Sequence, residues 1–565
     1  MFRKEHPKPQ LERENWVNLN GTWDFELDFS KSALSRGMLD ENAVFNNEIN
    51  VPFCPESILS GIGYTDFIPA CIYRRRFDIT SKQKNGRIVL HFGAVDYYAT
   101  VYINGVLAGR HKGGYSSFSF DITALCREGE NTLTVYAEDD TRSDKIPSGK
   151  QCHEYNSYGC FYTRTTGIWQ TVWLEFTPKA YVKGVKYYCD IHAQTLTVTA
   201  ELVGSGRLYA EASYLGRTVG SAFTDTSGGI AVLTLSLSEL HLWSVGVGAL
   251  YDLHISFGED RVKSYFGMRE IHFEGKSFML NGESVFQRLV LDQGFYPTGI
   301  YTAPSDAELE NDILRSIRMG FNGARLHEKV FEERFLYYCD KHGYLVWGEY
   351  ASWGMDITEP GSVHNMLPEW LEILERDFNH PAIIGWCPFN ETWDINGRKQ
   401  CDDILSLVYH TTKAVDATRP CIDTSGNFHV ITDVFDVHDY DSSGDAIRAR
   451  YARLATDNAI EDKFANRQTY KGEPIFISEY GGIGFMLDKS GWGYGNIPES
   501  KEAFLARLKD VTDAILDNEC IFGFCYTQLT DVEQECNGLY TYDRTPKFLP
   551  EEIAPIISRR AAIEK

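Results

Sequence analysis

Two short apolar runs end in glutamate: residues 383–391 close on Asn390-Glu391, and residues 474–481 pass through Ser478-Glu479-Tyr480-Gly481. A continuous apolar run of this length fits a strand buried on both faces, where an ionisable group is costly unless it has a use. Two carboxyl groups at the ends of such strands can divide labour. One, kept protonated, gives and takes a proton; the other, kept ionised, attacks carbon. Other apolar runs end in polar groups too: Asp292, Arg325 with His327, Glu349, then His438 with Tyr440, while Asn390 precedes Glu391 in the first. Trp347, Trp386 and Trp393 are interleaved with them. Aromatic faces stack on pyranose C–H surfaces while carboxylates and amides hold hydroxyls, so the collection reads as a sugar pocket.

The elements that must position these residues follow from the change of pattern near Ile271. Beyond it, apolar runs alternate with amphipathic helices, the first opening at Ser305 with a capping-type start. Eight strands are expected, at residues 284–291, 323–327, 345–350, 383–390, 421–425, 434–440, 475–479 and 522–529. Eight strands with intervening helices suit a (β/α)8 TIM barrel, whose strand C-termini form the catalytic face. No glycine-rich nucleotide loop competes with that reading. Upstream, short alternating strands with Asn-Gly turns predict antiparallel sheets. The expected division is a jelly-roll β-sandwich over 1–178, an immunoglobulin-like β-sandwich over 179–270 and the barrel over 271–565.

Composition narrows the function classes. A chain of 565 residues with 43% hydrophobic and 24% charged residues is that of a globular protein of several domains. Its formal charge of −24 would repel nucleic acid and anionic membranes. The opening residues carry no apolar segment behind their basic ones, and no transmembrane run follows, so a cytoplasmic protein is expected. The 13 cysteines include no CxxC pair, and buried reduced thiols are expected rather than zinc or disulfides.

Six fragments, in order, carry a specific resemblance. They are Asn20-Gly21-Thr22-Trp23, Tyr73-Arg74-Arg75-Arg76-Phe77, Thr166-Gly167-Ile168-Trp169-Gln170, the run from Met319 to Arg325, Asn390-Glu391, and Ser478-Glu479-Tyr480-Gly481. With the sandwich, sandwich, barrel order, they make the chain resemble glycoside hydrolase family 2, the group of bacterial β-galactosidases, β-glucuronidases and β-mannosidases. The resemblance implies a retaining exo-β-glycosidase with Glu391 as acid/base and Glu479 as nucleophile. It places Asn390 at the sugar 2-hydroxyl and Tyr440 beside the nucleophile, and offers Asp292, His327, Trp393 and His438 as further substrate contacts. Retention needs the two carboxyl groups about 5 to 5.5 Å apart, and mutual repulsion with apolar surroundings would keep Glu391 protonated beside a charged Glu479.

The sugar is less directly implied. Family glucuronidases grip the substrate carboxylate with Asn-x-Lys after the eighth barrel strand, whereas this chain has Glu535-Cys536-Asn537-Gly538. A glutamate there would repel a uronate, and Gln528, Asp531 and Glu533 suit neutral hydroxyls. A terminal β-galactoside is therefore expected, with a β-uronide as alternative if Arg325 or another cation substitutes for the lysine, and a non-catalytic carbohydrate-binding protein as the remote alternative. The expected partner is an oligosaccharide or glycoside, with an aglycone side built partly by the first sandwich or by a second subunit of a homo-oligomer. No metal or other cofactor is expected.

Overall fold

The computed structural model describes residues 2–487 and 491–564. The first sandwich packs a six-stranded antiparallel sheet, running from Asn47–Val51 at one edge to Val106–Lys112 at the other, on a four-stranded one. Its core includes Trp23, Tyr73, Val101 and Leu174. The second sandwich sets Tyr181–Asp190, Thr195–Val203 and Gly229–Ser236 against a four-stranded sheet. Buried and accessible residues alternate along Gly229–Ser236, the period that a half-buried strand imposes.

The barrel strands read differently because both their faces are covered. Gln287–Asp292, Gly323–Leu326 and Ile383–Cys387 are buried at every position. Pairing is parallel, in the order Ile383–Cys387, Leu345–Glu349, Gly323–Leu326, Gln287–Asp292, Ile521–Thr527, Ile475–Gly481, Phe435–Asp439. The helix Asp306–Arg318 starts where the sequence placed it, with the Ser305 hydroxyl accepting the Glu308 N–H.

Two expectations need correction. The fifth strand, at residues 421–425, forms only two bridges to the fourth, Trp386 with Cys421 and Asn390 with Ser425. Between those bridges lies Pro388, which has no N–H to donate, so the ladder cannot run through it. Ser284 belongs not to the first barrel strand but to a small antiparallel sheet over residues 271–284. Phe273 of that sheet packs on Phe522, where the eighth strand begins, and so closes the barrel's N-terminal end.

At the opposite end a loop of the first sandwich docks on the barrel mouth. The Ser148 N–H donates to the Trp353 carbonyl at 2.8 Å and the Thr163 N–H to Glu533 at 2.9 Å. Within the loop, the Tyr162 N–H donates to the Lys150 carbonyl and the Cys152 N–H to the Tyr162 carbonyl, each at 2.8 Å. Gly149 has φ 55°, and a Cβ there would lie 2.3 Å from the Glu328 carbonyl oxygen, so only glycine allows this close approach. All 13 cysteines are free and none is exposed. Among the described residues no helix is long and apolar enough to cross a membrane.

Candidate active site

Glu391 and Glu479 meet at the C-terminal mouth of the barrel. Glu479 lies within the seventh strand, while Glu391 sits beyond the fourth at φ 43°, a left-handed turn in which the chain leaves the strand. One carboxylate oxygen of each lies within 4.8 Å of the other, with a His438 nitrogen between them. His438 Nδ1 is 2.6 Å from Glu391, and its Nε2 is 3.4 Å from Glu479 and 3.0 Å from the Ser425 hydroxyl. At this spacing one carboxyl can protonate a leaving oxygen while the other attacks carbon.

The two carboxyl groups have different surroundings. The Glu479 residue is 4% exposed. Arg325 Nη1 donates to it at 2.7 Å, and the Tyr440 hydroxyl donates to its other oxygen. Burial alone would raise the Glu479 carboxyl, but His438 and Arg325, with the Tyr440 hydrogen bond, outweigh it and hold the group well below the usual carboxylate range. The Glu391 side chain is 22% exposed. It faces His438 on one side and the Trp393 indole N–H, at 3.2 Å, on the other. Its expected neutrality rests on mutual repulsion and apolar surroundings; the structure sets a histidine directly beside this carboxyl. Burial opposes charge on His438, yet Glu479 and Glu391 overcome it and raise the imidazole above its ordinary value.

Arg325 is the organiser of the floor. Its guanidinium donates to Glu349 at 2.6 Å, Glu479 at 2.7 Å and the Asn390 side-chain oxygen at 2.6 Å. That fixes the Asn390 amide, whose Nδ2 makes no bond among the described residues and is left for a ligand hydroxyl. Glu349 is thus a network residue, also bonded to His327 Nδ1 at 2.9 Å. Burial, then Lys150 and Arg325, keep His327 neutral, well below its usual value.

Not every expected residue gathers here. Asp292 ends the first strand but accepts from the Gly294 N–H at 2.9 Å, and its charged neighbours are Asp312, Arg544 and Lys329. Trp347 and Trp386 are fully buried, donating to Gln287 and Asp416, so they are barrel core and not sugar platforms. Trp393, by contrast, is 46% exposed at the mouth. Tyr440 stacks on Tyr494 with ring centres 3.8 Å apart and donates to the Glu479 carboxylate.

Sequence reasoning missed Lys150. It is 5% exposed and approaches the mouth from the first sandwich, with its ammonium over the rings of Trp353 at 5.3 Å and Tyr162 at 6.0 Å. The ammonium makes no hydrogen bond or ion pair among the described residues. Burial works against its charge, but Cys160, Glu535, Glu479 and Glu391 outweigh it and keep the ammonium protonated. Glu535 itself is occupied, accepting from the Tyr162 hydroxyl and from Asn537 at 3.0 Å. Nothing in Ser148-Gly149-Lys150-Gln151 marks it as a ligand-binding loop until the sandwich docks.

Comparison with known proteins agrees with this architecture. The family model described as "Glycosyl hydrolases family 2, TIM barrel domain" matches residues 303–554, and "Glycosyl hydrolase 2 galactose-binding domain-like" matches residues 64–170. The chain is 26% identical to a β-galactosidase of Thermoanaerobacterium thermosulfurigenes over 94% of its own length and 74% of that protein's. It is 25% identical to the β-glucuronidase of Mus musculus over 74% of this chain and 69% of the relative. It spans about half the length, 47%, of two further curated relatives. The solved structure of a β-glucuronidase from an uncultured Clostridium superposes with TM-score 0.79 at 22% identity, covering 97% of this chain and 99% of that one. Matched in barrel and sandwich alike, the chain belongs to glycoside hydrolase family 2 and is a retaining glycosidase.

Proposed function

We propose that the protein is an exo-acting β-uronidase, releasing a terminal glucuronide or galacturonide residue, with Glu479 as nucleophile and Glu391 as acid/base. The observation that carries the sugar assignment is Lys150. A buried ammonium without a counter-ion in hydrogen-bond reach is costly, and a ligand carboxylate in the pocket would offset that cost with a charge-assisted bond. Arg325, the cation first considered for this task, is consumed by Glu349, Glu479 and Asn390. The names of the mouse relative and the Clostridium structure support the same reading. The neutral-sugar expectation rested on Glu535 repelling a uronate, but both its oxygens already accept hydrogen bonds.

In this mechanism Glu479 attacks the anomeric carbon while Glu391 gives its proton to the departing oxygen, leaving a glycosyl ester on Glu479. Glu391 then removes a proton from water, which displaces Glu479 and restores the starting state with net retention. Tyr440 and Arg325 hold the nucleophile ionised and aimed. The free Asn390 amide meets the 2-hydroxyl, where hydrogen bonding strengthens as charge builds on the ring.

A β-galactoside is the second reading, favoured by the amides of Gln528 and Asn537 linked at 2.7 Å beside Glu535. A panel of 4-nitrophenyl β-glycosides decides between them. The expected kcat/KM on a uronide exceeds that on the galactoside by about 100-fold, and Lys150→Met removes most of this advantage while leaving galactoside hydrolysis within about threefold. A parent enzyme that prefers the galactoside, or a uronide preference that survives Lys150→Met, overturns the assignment.

A further inference from the structure

Beside Glu391 the barrel mouth opens into a cavity of about 410 Å³. Its walls are Phe161 from the sandwich loop and Trp353, Met355, Ile357, Trp393 and Ile395 from barrel loops. It lies on the acid/base side, where a leaving group must sit. From its chemistry we infer that the leaving group is an apolar, flat alcohol, an aromatic or polycyclic aglycone, and not a second sugar. The inference rests on the hydrolytic reading above and is independent of which glycone is cleaved.

The polar groups in the lining are already engaged. The Ser352 hydroxyl donates to Glu328 at 2.9 Å and accepts the Asn390 N–H at 3.1 Å. Thr392 is bonded to Gln400 and, at 3.0 Å, to Thr424. The Trp353 indole N–H donates to the Asn390 carbonyl at 2.9 Å, and that of Trp393 to Glu391 at 3.2 Å. What remains is the Asn390 amide, which the mechanism above gives to the glycone 2-hydroxyl, His153, which burial and Arg164 keep neutral, and Glu391 itself. A sugar unit would bring three or more hydroxyls into this space, and each one left unpaired costs on the order of 1 to 3 kcal/mol. An aromatic ring loses nothing there.

The walls are also braced for stacking. Trp393 is held edge-on by Phe428 at 5.7 Å and Phe464 at 5.8 Å, so its half-exposed ring is fixed and not mobile cover. Phe161 leans on Trp353 at 5.4 Å with a 37° tilt. A rigid aromatic surface presented to water at the mouth of a site is expensive unless a ligand covers it. A volume of this size is in the range used for drug-sized ligands.

A retaining enzyme permits a test free of leaving-group acidity, because the glycosyl ester on Glu479 can be captured by an added alcohol instead of water. The alcohol oxygen bonds to the anomeric carbon as the bond to Glu479 breaks, the alcohol proton passes to Glu391, and Glu479 departs as carboxylate. The enzyme is given whichever 4-nitrophenyl β-glycoside it turns over, with 2-phenylethanol or glucose at equal concentration, and the ratio of nitrophenol to free sugar is read. The expected result is at least about tenfold better capture by 2-phenylethanol, with Phe161→Ser, Ile357→Asn and Ile395→Ser each reducing that advantage about fivefold. Equal or better capture by glucose overturns the inference, as does an advantage that persists in all three variants. A failure of the uronide assignment shows up separately, in the glycone the enzyme accepts; no turnover of any glycoside overturns both.

Discussion

Glu479 is a carboxyl that burial would neutralise and that Arg325, His438 and Tyr440 keep charged; Glu391, 22% exposed, shares its proton with a histidine. That asymmetry assigns roles that chemistry can check. In Glu391→Ala the first step survives with a nitrophenolate leaving group, which needs little protonation, but no base remains to activate water. Azide needs no deprotonation and fits the vacated space, so it should restore turnover by about 10- to 100-fold and give the β-glycosyl azide. Glu479→Gln should lose turnover altogether. An α-azide from Glu391→Ala would reverse the roles. His438 adds a pH consequence. Because Glu479 and Glu391 raise its imidazole above the ordinary value, the proton on His438 persists to higher pH than on a free histidine, and the alkaline limb of kcat/KM should lie above about 6.5. In His438→Asn the raised imidazole is gone, so that limb should move to lower pH by about one unit. A limb that stays in place would show that His438 does not share the working proton.

At the scale of elements, what was legible in the sequence is what local patterning controls. Fully apolar runs announced the barrel strands, alternation announced the sandwiches, and Ser305 marked a helix start because capping is a three-residue event. The glutamates proposed as the catalytic pair could be picked out because each follows an apolar run, although Glu479 lies within its strand and Glu391 beyond its own. Pairing was less so: Pro388 sits inside a run that reads as an unbroken strand, and only its position opposite residues 421–425 turns it into a gap in the ladder. The tryptophans divided on burial, which the sequence does not carry: Trp347 and Trp386 fill the barrel, while Trp393 stands at its mouth. Lys150 was invisible for a stronger reason. Its meaning depends on a sandwich loop meeting barrel residues such as Trp353, two hundred positions away, and no periodicity within either element records that meeting.

At the scale of the whole molecule, the first sandwich and its junction with the barrel bury carboxyl groups that the proposed reaction does not use. Glu56 and Asp139 are pushed up by burial to about 8 and about 7, and burial with Asp139 raises Asp96 well above the usual range. Glu369, raised by burial too, accepts from the Tyr115 and Ser116 N–H groups across the junction. For such groups the folded pKa exceeds the unfolded one, so folding takes up protons. Their cost is absent below about pH 4.5, grows as pH rises towards the folded value, and is complete above it. For Glu56 alone the full cost is on the order of 5 kcal/mol, since its folded value lies near 8 against an ordinary 4.5 and one unit is about 1.4 kcal/mol. Glutamine at this position mimics the protonated form and can still accept the Thr166 N–H, which reaches Glu56 at 3.2 Å. Glu56→Gln should therefore melt above the parent at pH 8 and at or below it at pH 5, with the gap widening steadily between. Thermal melts of the two proteins at pH 5, 6.5 and 8 measure this directly. A difference that does not change with pH would mean that Glu56 is charged in the folded state at neutral pH, and that its site tolerates a buried carboxylate.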